Sequence, residues 1–353
     1  MKIGLFALQR GKAVSAFPSS LPHWIAMPRA SKDWSQAPLV LCALSIPLLS
    51  VASLFVGVSD VSFSTLFGSD GRALQVLLIS RIPRTIALVL AGAGMAVAGT
   101  IMQMLARNRF VEPSTAGTVE SATLGILTVM LFAPGLPVIA KAAVAATFAM
   151  AGTSLFLAII RRIPLRSILL VPLVGIMLGG VINAVSTFFA YRFDMLQSLG
   201  AWTSGDFSGV LRGRYELLWI SFALTVVAYM AARRFTVAGM GDDFTTNIGL
   251  NYRRIVALGL AIVSMVTAVV VVTVGMIPFL GLIIPNVVSM MLGDNLKRSL
   301  PWVATLGAGF VLACDIVGRL ILYPYEVPIG TVVGVVGSVF FLYLLLRKNA
   351  RVA

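Results

Sequence analysis

Charge is what this sequence lacks most. Only 11% of its 353 residues are Asp, Glu, Lys or Arg, against roughly 25% in an ordinary soluble domain. A surface facing water needs charged groups to stay solvated, so the deficit excludes a soluble globular protein and leaves a bilayer as the solvent. Cysteine and histidine are almost missing. Cys42 and Cys314 both sit in apolar runs and His23 lies near the N-terminus, which excludes a disulfide framework, a zinc spacing and a metal centre built from His or Cys. Acidic residues number 13 against 27 Lys and Arg. Such an excess can mark nucleic-acid binding, but here the cations form short clusters between apolar runs, the pattern of topology signals on loops. No nucleic-acid partner is expected. There is also no G-x-x-x-x-G-K-[ST] phosphate loop: Gly293–Ser299 carries Lys297 without the glycine spacing, so the chain is not expected to be an ATPase or other enzyme in its own right.

What is there is hydrophobic, at 59% of residues and a mean hydropathy of +0.98. Residues 1–36 mix Ser, Pro and scattered cations without a cleavable-signal pattern and read as a disordered cytoplasmic tail. Organised sequence begins soon after Met27, which leaves the start open between Met1 and Met27. Ten apolar segments follow, at 38–57, 83–105, 116–133, 138–160, 167–190, 216–232, 255–274, 279–292, 301–321 and 328–346. A spanning helix needs about 20 residues, and most segments qualify. The third carries Glu120 among several Thr and Ser. The eighth is too short to cross and has Pro285 inside it, a break tolerated only where neighbours bury the backbone. The expected fold is all-α, a polytopic bundle of about ten transmembrane helices over residues 37–348. Ten crossings put both termini on one side. The loops of that side hold 19 Lys and Arg against 8 on the other, which places both termini in the cytoplasm. Gly175 with Gly179 and Gly330 with Gly334 have G-x-x-x-G spacing, suited to close packing within the chain or across a subunit interface.

Three stretches carry a resemblance. "SRIPRTIALVLAGAGMAVAGTIMQMLARNRFVEPSTAG" is similar to a pattern R-x-P-R, a Gly/Ala-rich helix, S/A-G-x-x-x-Q and R-N-P-x-A-x-P. "GMIPFLGLIIPNVVSMMLGDNLKRSL" is similar to G-x-I-x-F-x-G-L-I-x-P-H-x-x-R-x-x-x-G-x-D-x-R, and "EVPIGTVVGVVGSVFFLYLLLRK" to the last helix of the same family. The chain thus resembles, over about residues 38–348, the permeases of binding-protein-dependent ABC importers for ferric siderophores, haem and cobalamin. The resemblance implies a cobalamin-permease-like bundle in the bacterial inner membrane. It departs from the pattern at Pro285–Asn286, where Pro-His is usual, at Ser289, where an Arg is usual, and at Arg107–Asn108–Arg109–Phe110–Val111, where R-N-P-L-A stands. With "EPSTAGTVESATLGIL" these departures resemble the branch serving catecholate-type siderophores such as enterochelin, anguibactin and petrobactin, implying ferric siderophore as cargo.

The same resemblance implies the partners: a second permease chain, identical or related, two cytoplasmic ATPase subunits and a periplasmic substrate-binding protein. No cofactor is implied. Arg81, Arg84 and Arg319 fall on the outer side, where such arginines meet carboxylates of the binding protein; guanidinium groups suit that task. Snorkelling to headgroups is the alternative, and Asp315, one turn from Arg319, offers an internal ion pair instead. Within 237–254, Gly241, Asp242, Gly249 and Leu250 resemble the coupling segment whose short helices sit in a groove of the ATPase; an ordinary solvated turn is the alternative. Glu120 is costly in lipid. It either lines the pathway, pairs with an arginine, or hydrogen-bonds to Thr118 or Ser121. Gln103, Pro285 and Asn286 are pathway or helix-packing candidates, and Asn183 is a weaker one. The rival reading is a secondary, ion-coupled transporter, which needs paired buried carboxylates or broken helices in matching halves. An intramembrane enzyme needs a nucleophile–base pair or metal ligands at span depth, and no span contains a His.

Overall fold

The computed structural model describes residues 37–57, 71–163 and 169–346; the tail 1–36, with His23 and Met27, lies outside the described residues. All ten predicted segments are helices. α1 is Ala37–Phe55. α2 runs unbroken through Arg72–Val76, a π-helical turn Leu77–Arg81 and Ile82–Ala106. Then come α3 (Thr118–Phe132), α4 (Val138–Arg162), α5 (Leu170–Arg192) and the short α6 (Leu196–Thr203). α7 is Trp219–Ala238, the short α8 is Asp242–Asn247 and α9 is Tyr252–Val274. α10 (Leu280–Leu292), α11 (Leu296–Ile321) and α12 (Ile329–Leu346) close the order. No strand occurs among the described residues. Among the described residues, six helices (α2, α4, α5, α7, α9 and α11) are long and apolar enough to cross a bilayer.

Helix starts needed the most correction. The second segment begins at Arg72 rather than 83, and the ninth at Leu296 rather than 301. Pro83 looks like a helix start because it lacks the N–H that would bond back one turn. Here the π turn precedes it, and the carbonyl it leaves free, that of Ile79, accepts instead from the backbone N–H of Arg212 at 2.9 Å.

α2 is the centre of the bundle and packs on α7, α9, α10 and α11. Its small residues make this possible: Gly92 lies on Gly307 of α11, Gly94 on Ser221 of α7, and Gly99 on Gly281 of α10. The G-x-x-x-G pairs also pack within the chain. Gly175 meets the Thr115 carbonyl, Gly179 the Glu120 carboxyl and Gly330 the backbone of Gly205.

Two helices are half-spans. α3 has 15 residues and α10 has 13; at 1.5 Å per residue these reach only about 22 and 20 Å, short of the ~30 Å hydrocarbon layer. Non-helical chain fills the remaining depth. Between α2 and α3 the sequence pattern predicts an exposed cytoplasmic loop. Instead residues 108–117 fold into the bundle, with Asn108, Val111, Glu112 and Thr115 buried. Residues 275–279 do the same ahead of α10. Irregular backbone is tolerated at this depth because protein, not lipid, surrounds it.

The ends of the bundle sort themselves. Arg81 and Arg107 lie on one helix, about 39 Å apart at 1.5 Å per residue. Near Arg107 gather Gly241, Arg161 and Tyr252; Arg109 pairs with Asp294. Near Arg81 gather Val56, Asp315, Arg319 and Glu326. These are the two sets of loops that alternating spans predict.

Candidate functional site

Four places carry the residues singled out from the sequence. The first is an arginine cluster at one end of the bundle. Asp315 of α11 is fully buried. It accepts from Arg84 Nε at 3.1 Å and Nη2 at 2.6 Å, and from Arg319 Nη2 one turn along its own helix. Arg319 Nη1 also reaches the carbonyls of Ser53 (3.0 Å) and Val56 (2.7 Å), tying down the end of α1. Arg84 Nη1 takes a second carboxylate, Glu326, at 2.7 Å. Arg81 donates to the Val56 carbonyl and pairs with no carboxylate among the described residues. The three arginines foreseen for docking are therefore buried within the single chain, and the foreseen internal pair of Asp315 and Arg319 exists. Headgroup snorkelling does not describe them.

The second place is where α2 and the segment that follows it meet the half-span α10, which brings Gln103, Pro285 and Asn286 together. Pro285 has no N–H for the carbonyl of Gly281 one turn back. Gln103 Nε2 of α2 donates to that carbonyl at 3.3 Å. Asn286 Nδ2 donates to the Leu282 carbonyl at 2.7 Å and across to the Arg109 carbonyl at 2.9 Å. Glu112, fully buried, places Oε1 where the backbone N–H of Phe279 donates at 2.8 Å, with the Ser114 hydroxyl donating to the same oxygen. A carboxylate at the start of α10 satisfies N–H groups that no turn precedes and complements the helix dipole. Below it, Arg109 pairs with Asp294 at 2.6 Å and Ser289 donates to the other oxygen of Asp294. Arg109, Asn286 and Ser289, one from each of the three departures from the family pattern, occupy one site. A cavity of about 320 Å³ opens beside them, lined by Gln103, Arg107, Asn108, Asn286 and Asp294 among others.

Gln103→Leu should destabilise the protein by about 1–3 kcal/mol, the cost of a buried carbonyl left without a donor. Thermal unfolding of the purified protein in one detergent checks this. Equal stability would mean that Pro285 leaves nothing for Gln103 to satisfy.

The third place is a smaller cavity of about 270 Å³ lined by Glu120 and Thr123 of α3, Gly179, Gly180 and Asn183 of α5, Thr203 of α6 and Met276. Glu120 meets no arginine among the described residues. Thr118 bonds Thr153 and Ser121 bonds the Gly117 carbonyl, so neither holds it, and Glu120 Oε2 has no hydrogen-bond partner among the described residues. Glu120 therefore faces this cavity rather than the two hydroxyls. α5 beside it leaves Leu173, Ile176, Met177, Val181 and Phe188 exposed.

The fourth place is α8 and its flanks. Gly241 at φ 118° and Gly249 at φ 85° adopt conformations that favour glycine and bracket the helix. Thr245 is fully buried and donates to the carbonyls of Val237 (3.1 Å) and Gly241 (2.5 Å), fixing α8 to the end of α7. Asp242 opens the helix and accepts from Thr246, and Leu250 packs against the core. Phe244 on the helix and its flanking residues Met240 and Ile248 are exposed. Arg107 lies over Gly241, with its Nη1 about as close as a Cβ there would permit, 3.0 Å.

The sequence reading missed Glu112, Asp294 and Glu326. Each stands inside a quoted motif, yet its partner lies far along the chain, 167 residues away for Glu112 and 242 for Glu326.

Comparison with known proteins agrees with this geometry. Residues 43–347 match the FecCD transport family. The chain is 51% identical over 304 residues to the petrobactin import system permease protein YclN of Bacillus subtilis (strain 168), covering 86% of this chain and 96% of that protein. It is 42% identical to the ferric-anguibactin transport system permease protein FatD of Vibrio anguillarum, covering 85% and 95%. Among solved structures, an inward-facing metal-chelate type ABC transporter superposes with a TM-score of 0.73 at 23% identity, over 88% of this chain and 98% of that one.

Proposed function

The chain belongs to the FecCD transport family, and from that premise we propose that it is the membrane-spanning permease of an ATP-driven importer that carries ferric siderophore across the bacterial inner membrane. The observation that carries the reading is its likeness, over nearly its whole length, to permeases named for petrobactin and anguibactin. A second permease chain, two ATPase subunits and a periplasmic binding protein complete the machine. Both termini lie in the cytoplasm. Residues 1–36 are the tail and 37–348 the permease domain.

The geometry fits the task. With no phosphate loop in the sequence, energy enters through α8, where Phe244 and the flanking Met240 and Ile248 stay exposed among the described residues and suit a groove on an ATPase. A push on α8 reaches Arg107 over Gly241, then Arg109, and through Asn286 and Glu112 the half-span α10. Rigid elements joined this way convert nucleotide-driven rotation into a switch between outward-open and inward-open states. Glu120 and Asn183 line the space beside α5 on the route of the cargo, and Arg81, Arg84 and Arg319 form the receiving surface for the binding protein. Selectivity resides mainly in that protein, because a pathway that held cargo tightly would not release it.

In cells lacking this chain, uptake of iron-labelled catecholate-type siderophores should fall to background while hydroxamate uptake continues. Undiminished uptake of a whole panel of ferric siderophores would remove the assignment. In reconstituted vesicles, an ATPase-inactive partner should abolish uptake and an ionophore should not; the reverse result selects an ion-coupled carrier.

A further inference from the structure

The arginine cluster is unbalanced in a way that says how it is used. Among the described residues it holds three guanidinium groups, Arg81, Arg84 and Arg319, and two carboxylates, Asp315 and Glu326. Within that set one positive charge is unmatched, and it sits at Arg81, which donates to the Val56 carbonyl. The two carboxylates are not equivalent. Asp315 is fully buried on a helix and gripped from both sides by Arg84 and Arg319. Glu326 lies on the non-helical link between α11 and α12, its side chain is 26% exposed, and it touches Arg84 through a single guanidinium nitrogen. Around it the link presents Leu322, Tyr323 and Tyr325 to the outside.

We propose that Glu326 is an internal stand-in for a carboxylate of the docking protein: it fills Arg84 while the permease is unoccupied and yields it when the binding protein arrives. The proposal rests on the docking role given above to Arg81, Arg84 and Arg319. A buried guanidinium left without an anion is costly, so Arg84 needs an occupant between docking events. Asp315 cannot leave without stranding two arginines, whereas Glu326 gives up one contact and can turn to water. An incoming protein that offers two carboxylates then meets Arg81, which has none, and Arg84, which exchanges one for another. Arg84 can accept the newcomer because guanidinium pairs with carboxylate in a fixed fork. The exposed tyrosines of the link lie where an interface would bury them, and Tyr is a favoured anchor at such surfaces. Exchange of like for like keeps the association weak enough to reverse in each transport cycle.

The experiment measures association of the binding protein encoded with this system and the full permease–ATPase complex in lipid nanodiscs. Glu326→Gln removes the competing charge while keeping the shape. Its association should tighten by about threefold or more, as expected for one partly exposed charge pair, while Glu326→Asp stays near wild type. Arg81→Glu should weaken association. Co-purification of the ATPase subunits with each variant reports assembly, and a variant that fails it is replaced by Glu326→Ala or Arg81→Gln. If Arg81→Glu weakens association and Glu326→Gln does not tighten it, the stand-in is overturned and the docking surface survives. If neither changes association, the docking reading falls and the stand-in with it. If Glu326→Gln only raises retention of anionic lipid in the nanodiscs, Glu326 guards Arg84 from headgroups and the proposal is likewise overturned.

Discussion

An Asp315→Ala protein should lose about 3–5 kcal/mol of stability, the range for removing one partner of a buried ion pair. The loss comes less from the bonds themselves than from what remains. Arg84 and Arg319 would stay buried, with Glu326 as the sole carboxylate for three guanidinium groups among the described residues. Ser53 of α1 and Val56 just beyond it close the site to water from one side. Thermal unfolding of the purified protein, in detergent and again in nanodiscs, measures the effect. Adding Arg319→Leu to Asp315→Ala should cost less than the two changes taken separately, since the second removes a stranded charge. A loss below about 1 kcal/mol for Asp315→Ala would mean that the cluster is hydrated and that its carboxylates do not hold α1, α2 and α11 together.

Gly99→Leu should be at least as damaging. A Cβ at Gly99 would overlap the backbone of Gly281, and a Cβ at Gly281 would come within 2.8 Å of the Gly99 Cα and 3.1 Å of Glu112 Oε2. Overpacking usually costs about 1–3 kcal/mol. Here the obstacle is backbone on both sides, so no rotamer relieves it, and α10 must move away from α2. That displacement would break the Gln103 bond to Gly281 and the Glu112 bond to Phe279 together. The expected result is little folded protein and no uptake. Gly209→Ala, at a glycine with open space around it, should change stability by less than about 0.5 kcal/mol. A Gly99→Leu protein that folded and transported normally would show that α2 and α10 do not need their close approach.

Helix existence was legible because lipid forces it. Every unpaired backbone group at membrane depth is costly, so an apolar run near 20 residues has few options. Depth was less legible. Residues 108–115 read as a loop because they interrupt hydrophobicity with Arg109, Glu112 and Ser114. Their burial depends on Glu112 finding the start of α10, a partnership that no local pattern encodes. Pro83 misled for a related reason: its free carbonyl is answered by Arg212, from a connection more than a hundred residues away. The residue types at the arginine cluster were readable, and so was the i, i+4 relation of Asp315 and Arg319. Which arginine lacked an anion depended on where the link after α11 turned back. For α8 the resemblance supplied the role, and the structure adds the bracketing positive-φ glycines and the exposed Met240, Phe244 and Ile248.

The pairing of the segment ahead of α3 with the start of α10 sets an order of events during synthesis. α3 and α10 are each too short to span a membrane unaided, and Glu112, ahead of the first, is the group that receives the second. Glu112 leaves the ribosome long before Phe279. Until the second half emerges, the first has an acidic side chain and an irregular stretch with no cradle. The nascent chain therefore has to wait at the insertion machinery, holding an unfinished pocket open, and only its last third lets the beginning settle.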